Sequence, residues 1–309
     1  MTGPASVLLI GSLKEPMLAY VNQKLARKNV SAVNLDFQQP HGACRISFKI
    51  GNCRTPPFLK VDSRTVPLET ILSTYVRLSH QMTTASDEVE RAEPILQHRA
   101  LVPHLLNVLP GLVVNPYEEA SGNRSKPYQQ MLIAKLGFNV PKTLVTSHLE
   151  QAKEWFEACR GRVIYKSISS VRSVVRRLNP EDFSRLEHLR HCPVQFQEYI
   201  PGIDIRVHVV GTRVFASQIE TRSTDYRYPD QESFRTIRAL ELPMDLQEKC
   251  VTLTEGLGLA LAGIDLRKTV DGEYVCFEVN TSPAFPFYER HTGQRIGEAL
   301  VEMLCRGTP

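Results

Sequence analysis

GIDLRKTVDGEYVCFEVN, residues 263–280, reads as a β-hairpin that carries chemistry. Asp271-Gly272 is a strong short-range turn signal, because a two-residue turn needs residues that accept positive φ. With those two residues as the loop, Val270 pairs with Glu273 and Asp265 falls directly opposite Glu278. Asn280 lies diagonally beyond on the same face. Two carboxylates in direct cross-strand register repel each other, so the pattern predicts a cation between them. Asp, Glu and Asn are also the hard oxygen donors that Mg2+ prefers. The competing reading is a solvated strand face that binds nothing.

Length and composition set the frame. A chain of 309 residues exceeds one average domain and predicts two or three units. With 42% hydrophobic and 23% charged residues, it has the composition of an ordinary globular protein. No apolar run approaches the ~20 residues of a membrane helix, so no membrane partner is expected. MTGPASVLLIGS lacks a basic segment ahead of its apolar run and reads as a first strand. The net charge of +4 is spread along the chain, without a basic tract interleaved with aromatics, which argues against nucleic acid. Cys44, Cys53, Cys159, Cys192, Cys250, Cys276 and Cys305 show neither CxxC nor zinc spacing. Reduced thiols and a cytoplasmic location are the expectation.

Along the chain, SVLLIG, a helix with Leu18, Val21 and Leu25 at helical spacing, and SAVNLDF form a βαβ start without a GxGxxG. ILQHRALVPHLLNVL reads as an amphipathic helix with His98 and His104 at its surface. In SGNRSKPYQQMLIAKLGFNVPKTLVTS, Ser125, Pro127 and Gly137 delimit a helix. Ser147 and Glu150 suggest a capping box for the next one. GRVIYKSISS then delivers Lys166 at the end of a short apolar strand, where a surface lysine is the bland alternative. PEDFSRLEHLRH reads as a polar helix, followed by VQFQEYI and a second hairpin, IDIRVHVV-GT-RVFASQIE. There Ile203, Ile205, Val207 and Val209 share one face, and Asp204, Arg206 and His208 the other. Two late helices flank the opening hairpin. The mixture is α+β.

FQEYIPGIDIRVHVVG and AGIDLR…CFEVNTSP, in that order, resemble the ATP-grasp ligases, particularly their RimK-like branch. The resemblance runs from about residue 110 to the C-terminus. NRSKPYQQ…VPKTLVTS is similar to the peptide maturases that close lactones and amides in microviridin-type peptides. The implied fold is ATP-grasp with an N-terminal Rossmann-like pre-ATP-grasp domain, divided at 1–120, 121–201 and 202–309.

The same resemblance implies roles. Lys126 and Lys166 would hold ATP phosphates, and Gln197, Glu198, Tyr199 and Ile200 would line the adenine pocket. Asp204 would face the ribose, and Arg206 and Arg235 the γ-phosphate and acyl group. Asp265, Glu278 and Asn280 would bind Mg2+, or Mn2+ in its place. One departure stands out: SISSVRSVVRR after the phosphate lysine has no glycine where the family has a glycine-rich loop, so either serine hydroxyls, backbone N–H groups and Arg172 cover phosphate or the loop is shortened and the lid closes differently. TRSTDYRYPDQESFRTI is either a solvated loop or the substrate-facing loop that contributes Arg227 and Arg235, the second being the expectation. The implied reaction activates a small-molecule or peptide carboxylate as an acyl phosphate, releases ADP, and passes the acyl group to an amine or hydroxyl. Homo-oligomerisation follows by family analogy only. The competing readings are an inactive ATP-binding regulator or scaffold, and a phosphotransferase.

Overall fold

The computed structural model describes residues 6–36, 44–47, 57–61, 64–78, 101–116, 125–168, 175–221 and 236–309. Among these, helices accompany four sheets in the expected α+β mixture.

Ser6–Ile10 is buried along its whole length, as a parallel strand covered on both faces should be. It lies between Ala32–Leu35 and Ile71–Val76 in a parallel sheet that ends at Leu112–Val114. Alternation divides its side chains between two cores. Val7 and Leu9 share one core with the helices Pro16–Arg27 and Ile296–Arg306; Leu8 and Ile10 share another with Leu59, Leu105 and Leu109. The last helix of the chain therefore packs on the first sheet, where Ser73 Oγ donates to the Leu304 carbonyl at 2.7 Å.

The second sheet is antiparallel, in the order Arg176–Arg177, Val163–Ser167, Val194–Glu198, Thr143–Thr146. Val163 and Phe196 pack towards Ala152 of the helix Leu149–Ala158. The expected Ser147 cap does not form: His148 is the capping position, and Thr146 Oγ1 accepts its N–H at 3.0 Å instead. A hydroxyl two residues ahead closes a local turn and moves the helix start by one. Pro180–His191 is a 3-10 helix and not an α-helix. Its apolar residues Phe183, Leu186 and Leu189 recur every three positions, which stacks them on one side of a three-residue turn.

The third sheet has five antiparallel strands, in the order Thr236–Leu240, Arg213–Glu220, Gly202–Val210, Leu261–Thr269, Tyr274–Asn280. Ile205, Val207 and Val209 meet Leu246, Cys250 and Leu253 of the helix Met244–Gly256, as the alternation predicts. The helix Lys126–Lys135 grips its outer strand. Gln129 Nε2 donates to the Val279 carbonyl at 2.7 Å, and Gln129 Oε1 accepts the Val279 N–H at 3.0 Å. The fourth sheet, Cys44–Ser47, Phe58–Val61 and Arg64–Pro67, is a small antiparallel layer beside the first.

Asn115 joins the first sheet to the third. Its amide donates to the carbonyls of Leu261 (2.7 Å) and Thr281 (2.6 Å), and its oxygen accepts from the N–H groups of Ala260 (2.9 Å) and Leu261 (3.1 Å). Truncating it strands several buried backbone groups, each worth ~1–3 kcal/mol. Asn115→Ala should therefore lower unfolding free energy by about 3 kcal/mol, read from the urea midpoint at constant slope. A loss below ~1 kcal/mol would mean that water replaces the amide.

Candidate active site

Asp265 does lie opposite Glu278, but by a route different from the expected one. Thr269 N donates to the Glu273 carbonyl at 2.8 Å and Gly272 N to the Thr269 carbonyl at 3.0 Å, so the loop is Val270-Asp271-Gly272. Gly272 alone takes positive φ there, 87°, which is the mark of a three-residue loop with glycine in the left-handed position. Such a loop shifts every pair by one residue. A bulge then cancels the shift: Leu266 pairs with Cys276 and Asp265 with Glu278, leaving Phe277 extra. It also lets Cys276 and Val279 enter the same core.

Across the middle of the sheet, Ser217, Arg206, Asp265 and Glu278 form a row, each opposite the next. Arg206 Nη1 donates to Asp265 Oδ1 at 2.8 Å. Arg206 thereby brings a positive charge to one of the two facing carboxylates. Arg206 is only 5% exposed, where weak screening strengthens the pair. Its guanidinium crosses Gly263: a Cβ there would lie 2.0 Å from Arg206 Nη2 and 2.7 Å from Pro283 Cβ. Glycine is required by close approach. His208, next on the same face, is buried against Tyr288 at 4.9 Å and Phe285 at 6.4 Å between ring centroids. Burial holds its imidazole well below the usual range, and the Arg206 charge acts in the same direction. At Arg206 and His208 this face is polar and buried, while Asp265, Glu278 and Asn280 are partly exposed.

Lys166 is no surface lysine either. It is 8% exposed within Val163–Ser167, pairs across the strands with Gln195, and donates to Gln197 Oε1 at 3.4 Å. The alternation in VQFQE explains the burial: Phe196 faces the helices, while Gln195 and Gln197 take the opposite face with Lys166. Lys126 opens the helix Lys126–Lys135 and is also buried. One turn on, Gln130 Oε1 accepts from Gln195 Nε2 at 3.5 Å. Gln130 Nε2 and Gln195 Oε1 are buried without a partner among the described residues. Orphaned amide groups beside two buried lysines fit an anionic ligand that also hydrogen-bonds.

Asp204 is held by Arg267, whose Nε and Nη2 both reach Asp204 Oδ1, at 2.9 and 2.6 Å. Arg267 Nη1 also donates to the Ile200 carbonyl at 2.9 Å. The same guanidinium lies 5.2 Å from the Phe277 ring centroid, and Arg177 lies 3.9 Å from that of Tyr199. Sequence reasoning left Arg267 and Arg177 without a role. Arg267 lies opposite Asp204 where strands of the two hairpins pair, a register that neither hairpin fixes alone. Glu198, Tyr199 and Ile200 are half-buried beside this pair.

Arg172, Arg227 and Arg235 lie outside the described residues, as does the stretch 169–174 of the glycine-free loop. Among the described residues no three His, Cys, Asp or Glu side chains cluster as a metal cage. Two carboxylates and the Asn280 amide oxygen suit Mg2+ all the same, because that ion takes one or two carboxylates and fills its shell from phosphate and water.

The RimK-like ATP-grasp domain matches residues 123–304, more than half of the chain, and the chain belongs to that family. It is 26% identical over 188 residues to a probable alpha-L-glutamate ligase of Cellvibrio japonicus, a match covering 58% of this chain and 62% of that protein. It is 25% identical over 191 residues to the alpha-aminoadipate–LysW ligase LysX of Sulfurisphaera tokodaii, covering 58% and 67%. Among solved structures, the ATP-grasp ligase PsnB complexed with a minimal precursor superposes with a TM-score of 0.83 at 25% identity, covering 99% of this chain and 100% of that one. PsnB has also been solved with Mg and ADP. The macrocyclase MdnC of Microcystis aeruginosa, with its precursor peptide, shares the fold with a TM-score of 0.78 at 21% identity over 97% and 99% of the chains. Among the described residues no helix is long and apolar enough to cross a membrane.

Gly263→Ala should push Arg206 off Asp265 and lower ATP turnover by about 10²-fold, the scale of one lost charge-stabilising group. Steady-state ADP release by the folded variant is the readout. Turnover within threefold of the parent would mean that Arg206 tolerates another path to Asp265.

Proposed function

We propose that the chain is a cytoplasmic ATP-dependent ligase. It activates a carboxylate as an acyl phosphate and passes the acyl group to an amine, or to a hydroxyl, with a peptide as one substrate. One observation carries this reading most strongly. The helix Lys126–Lys135 ties the two sides of the site together: Gln129 grips the backbone beside Glu278 and Asn280, and Gln130 reaches Gln195 beside Lys166. Buried phosphate-binding cations and an oxygen-rich strand are thus linked through consecutive residues of one helix. Peptide substrates are supported by the full-length likeness to PsnB in complex with its precursor.

The residue roles are those that the resemblance to the RimK-like ATP-grasp family implies, and each suits its chemistry. Lys126 and Lys166 neutralise nucleotide phosphates as point charges. Gln197, Glu198, Tyr199 and Ile200 line the base, and Asp204, oriented by Arg267, meets the ribose. Asp265, Glu278 and Asn280 would hold Mg2+, or Mn2+, which when bound offsets charge on phosphate oxygens. Arg206, anchored by Asp265, places a desolvated cation where negative charge develops, with Arg235 assisting. The nucleotide would lie between the units 121–201 and 202–309, with 1–120 contributing to the substrate side.

In the first step a carboxylate oxygen attacks the γ-phosphorus and the bond to the ADP oxygen breaks. In the second, the acceptor lone pair attacks the acyl carbon, phosphate departs with the former carboxylate oxygen, and the acceptor proton passes to solvent. Activation replaces a poor leaving group, and positioning of the two reactants supplies much of the remaining acceleration. A substrate labelled with heavy oxygen in its carboxylate should therefore give labelled inorganic phosphate together with ADP. Label in AMP, or unlabelled phosphate with the label retained by the substrate, would overturn the reading.

A further inference from the structure

The backbone following Asn280 is held from outside its own sheet. Ser282 N donates to Asn280 Oδ1 at 2.9 Å, so the position of Ser282 helps to orient the Asn280 side chain. Ser282 in turn is gripped by Arg77, which follows the first-sheet strand Ile71–Val76. Arg77 Nη1 donates to the Ser282 carbonyl at 2.7 Å and to Ser282 Oγ at 2.6 Å. The other arm of the guanidinium, Nη2, donates to Glu15 Oε1 at 2.8 Å, and Glu15 Oε2 caps the helix Pro16–Arg27 through the Leu18 N–H at 2.6 Å. Arg77 is thus fixed at both ends, with its side chain 13% exposed.

We propose that Arg77 is a positioning residue for the divalent cation: through Ser282 it holds Asn280 in the orientation that binds metal. This rests on the assignment of Asp265, Glu278 and Asn280 as metal donors. Groups that orient a ligand from behind govern affinity, and losing one costs about 10- to 100-fold in metal binding. The sign of the effect separates orientation from plain electrostatics. A guanidinium near a divalent cation repels it, so removing Arg77 for charge reasons alone would tighten the metal. Glu15 already offsets that charge. Orientation predicts the reverse, a weakening.

The test is a titration of the full chain with Mn2+ in the presence of ADP, followed by the loss of the free-ion electron paramagnetic resonance signal. Arg77→Met, which keeps length and removes the donors, should weaken Mn2+ at least tenfold. ADP affinity in the presence of a chelator should stay within twofold, a split that general loosening of the fold would not produce. Arg77→Lys should recover part of the loss, since it retains one donor. Should Arg77→Met fail to fold, Arg77→Lys and Ser282→Ala decide in the same titration, each expected to weaken Mn2+ severalfold. Unchanged or tighter Mn2+ in the folded variants overturns the proposal. Asn280→Ala separates the two levels of the argument. If it weakens Mn2+ while the Arg77 variants do not, only the positioning role falls; if it leaves Mn2+ unchanged, the donor assignment falls with it.

Discussion

The site turns on a single row across one sheet, in which Arg206 faces Asp265 and Asp265 faces Glu278. Two carboxylates placed side by side at the same face of a β-hairpin destabilise it unless positive charge is near. Arg206 brings positive charge to Asp265 through its 2.8 Å contact. Much of the surrounding structure serves this row. Gly263 clears the path of the guanidinium, the bulge at Phe277 brings Glu278 into register, and Gln129 fixes the neighbouring backbone at Val279. Sequence features that look unrelated, a glycine in mid-strand and an interruption in the pairing, are consequences of one electrostatic arrangement.

The N-terminal sheet is part of the same arrangement and not an appended module. Asn115 holds the Thr281 carbonyl, and Arg77 holds Ser282, so two side chains just beyond parallel strands of the first sheet secure the turn that leaves the last strand of the third. The terminal helix Ile296–Arg306 shares its core with Val7, Leu9 and Val210 and closes the connection from the other side. Ligands in open parallel sheets bind outside the carboxyl ends of the strands. Here that edge reaches the strand carrying Glu278 and Asn280.

Much of the fold was legible because its signals are local. Alternation in IDIRVHVV separated the buried Ile205, Val207 and Val209 from Arg206 and His208, and helical spacing located Leu18, Val21 and Leu25. The facing of Asp265 and Glu278 was also readable, although its derivation contained two offsetting errors. The turn has three residues, and a bulge that no short-range signal announces restores the register. The burial of Lys166 was not legible, because it depends on what covers a strand: Gln195 and Gln197 share its face, and the separate helix Lys126–Lys135 reaches Gln195. The contacts of Arg77 with Ser282 and of Asn115 with Leu261 were invisible for the same reason, since those partners lie 205 and 146 residues away. Local periodicity records which face of an element is apolar; it does not record which distant side chain arrives there.

The proposed role of the carboxylate pair as a divalent-cation site for the nucleotide is tested most directly by ATP turnover in Glu278→Gln and Asn280→Ala at saturating Mg2+. Cation stabilisation of phosphoryl charge is worth several kcal/mol, so each variant should lose at least ~10²-fold while remaining folded. Near-parental turnover in both would contradict the claim and return the Asp265–Glu278 row to a structural role.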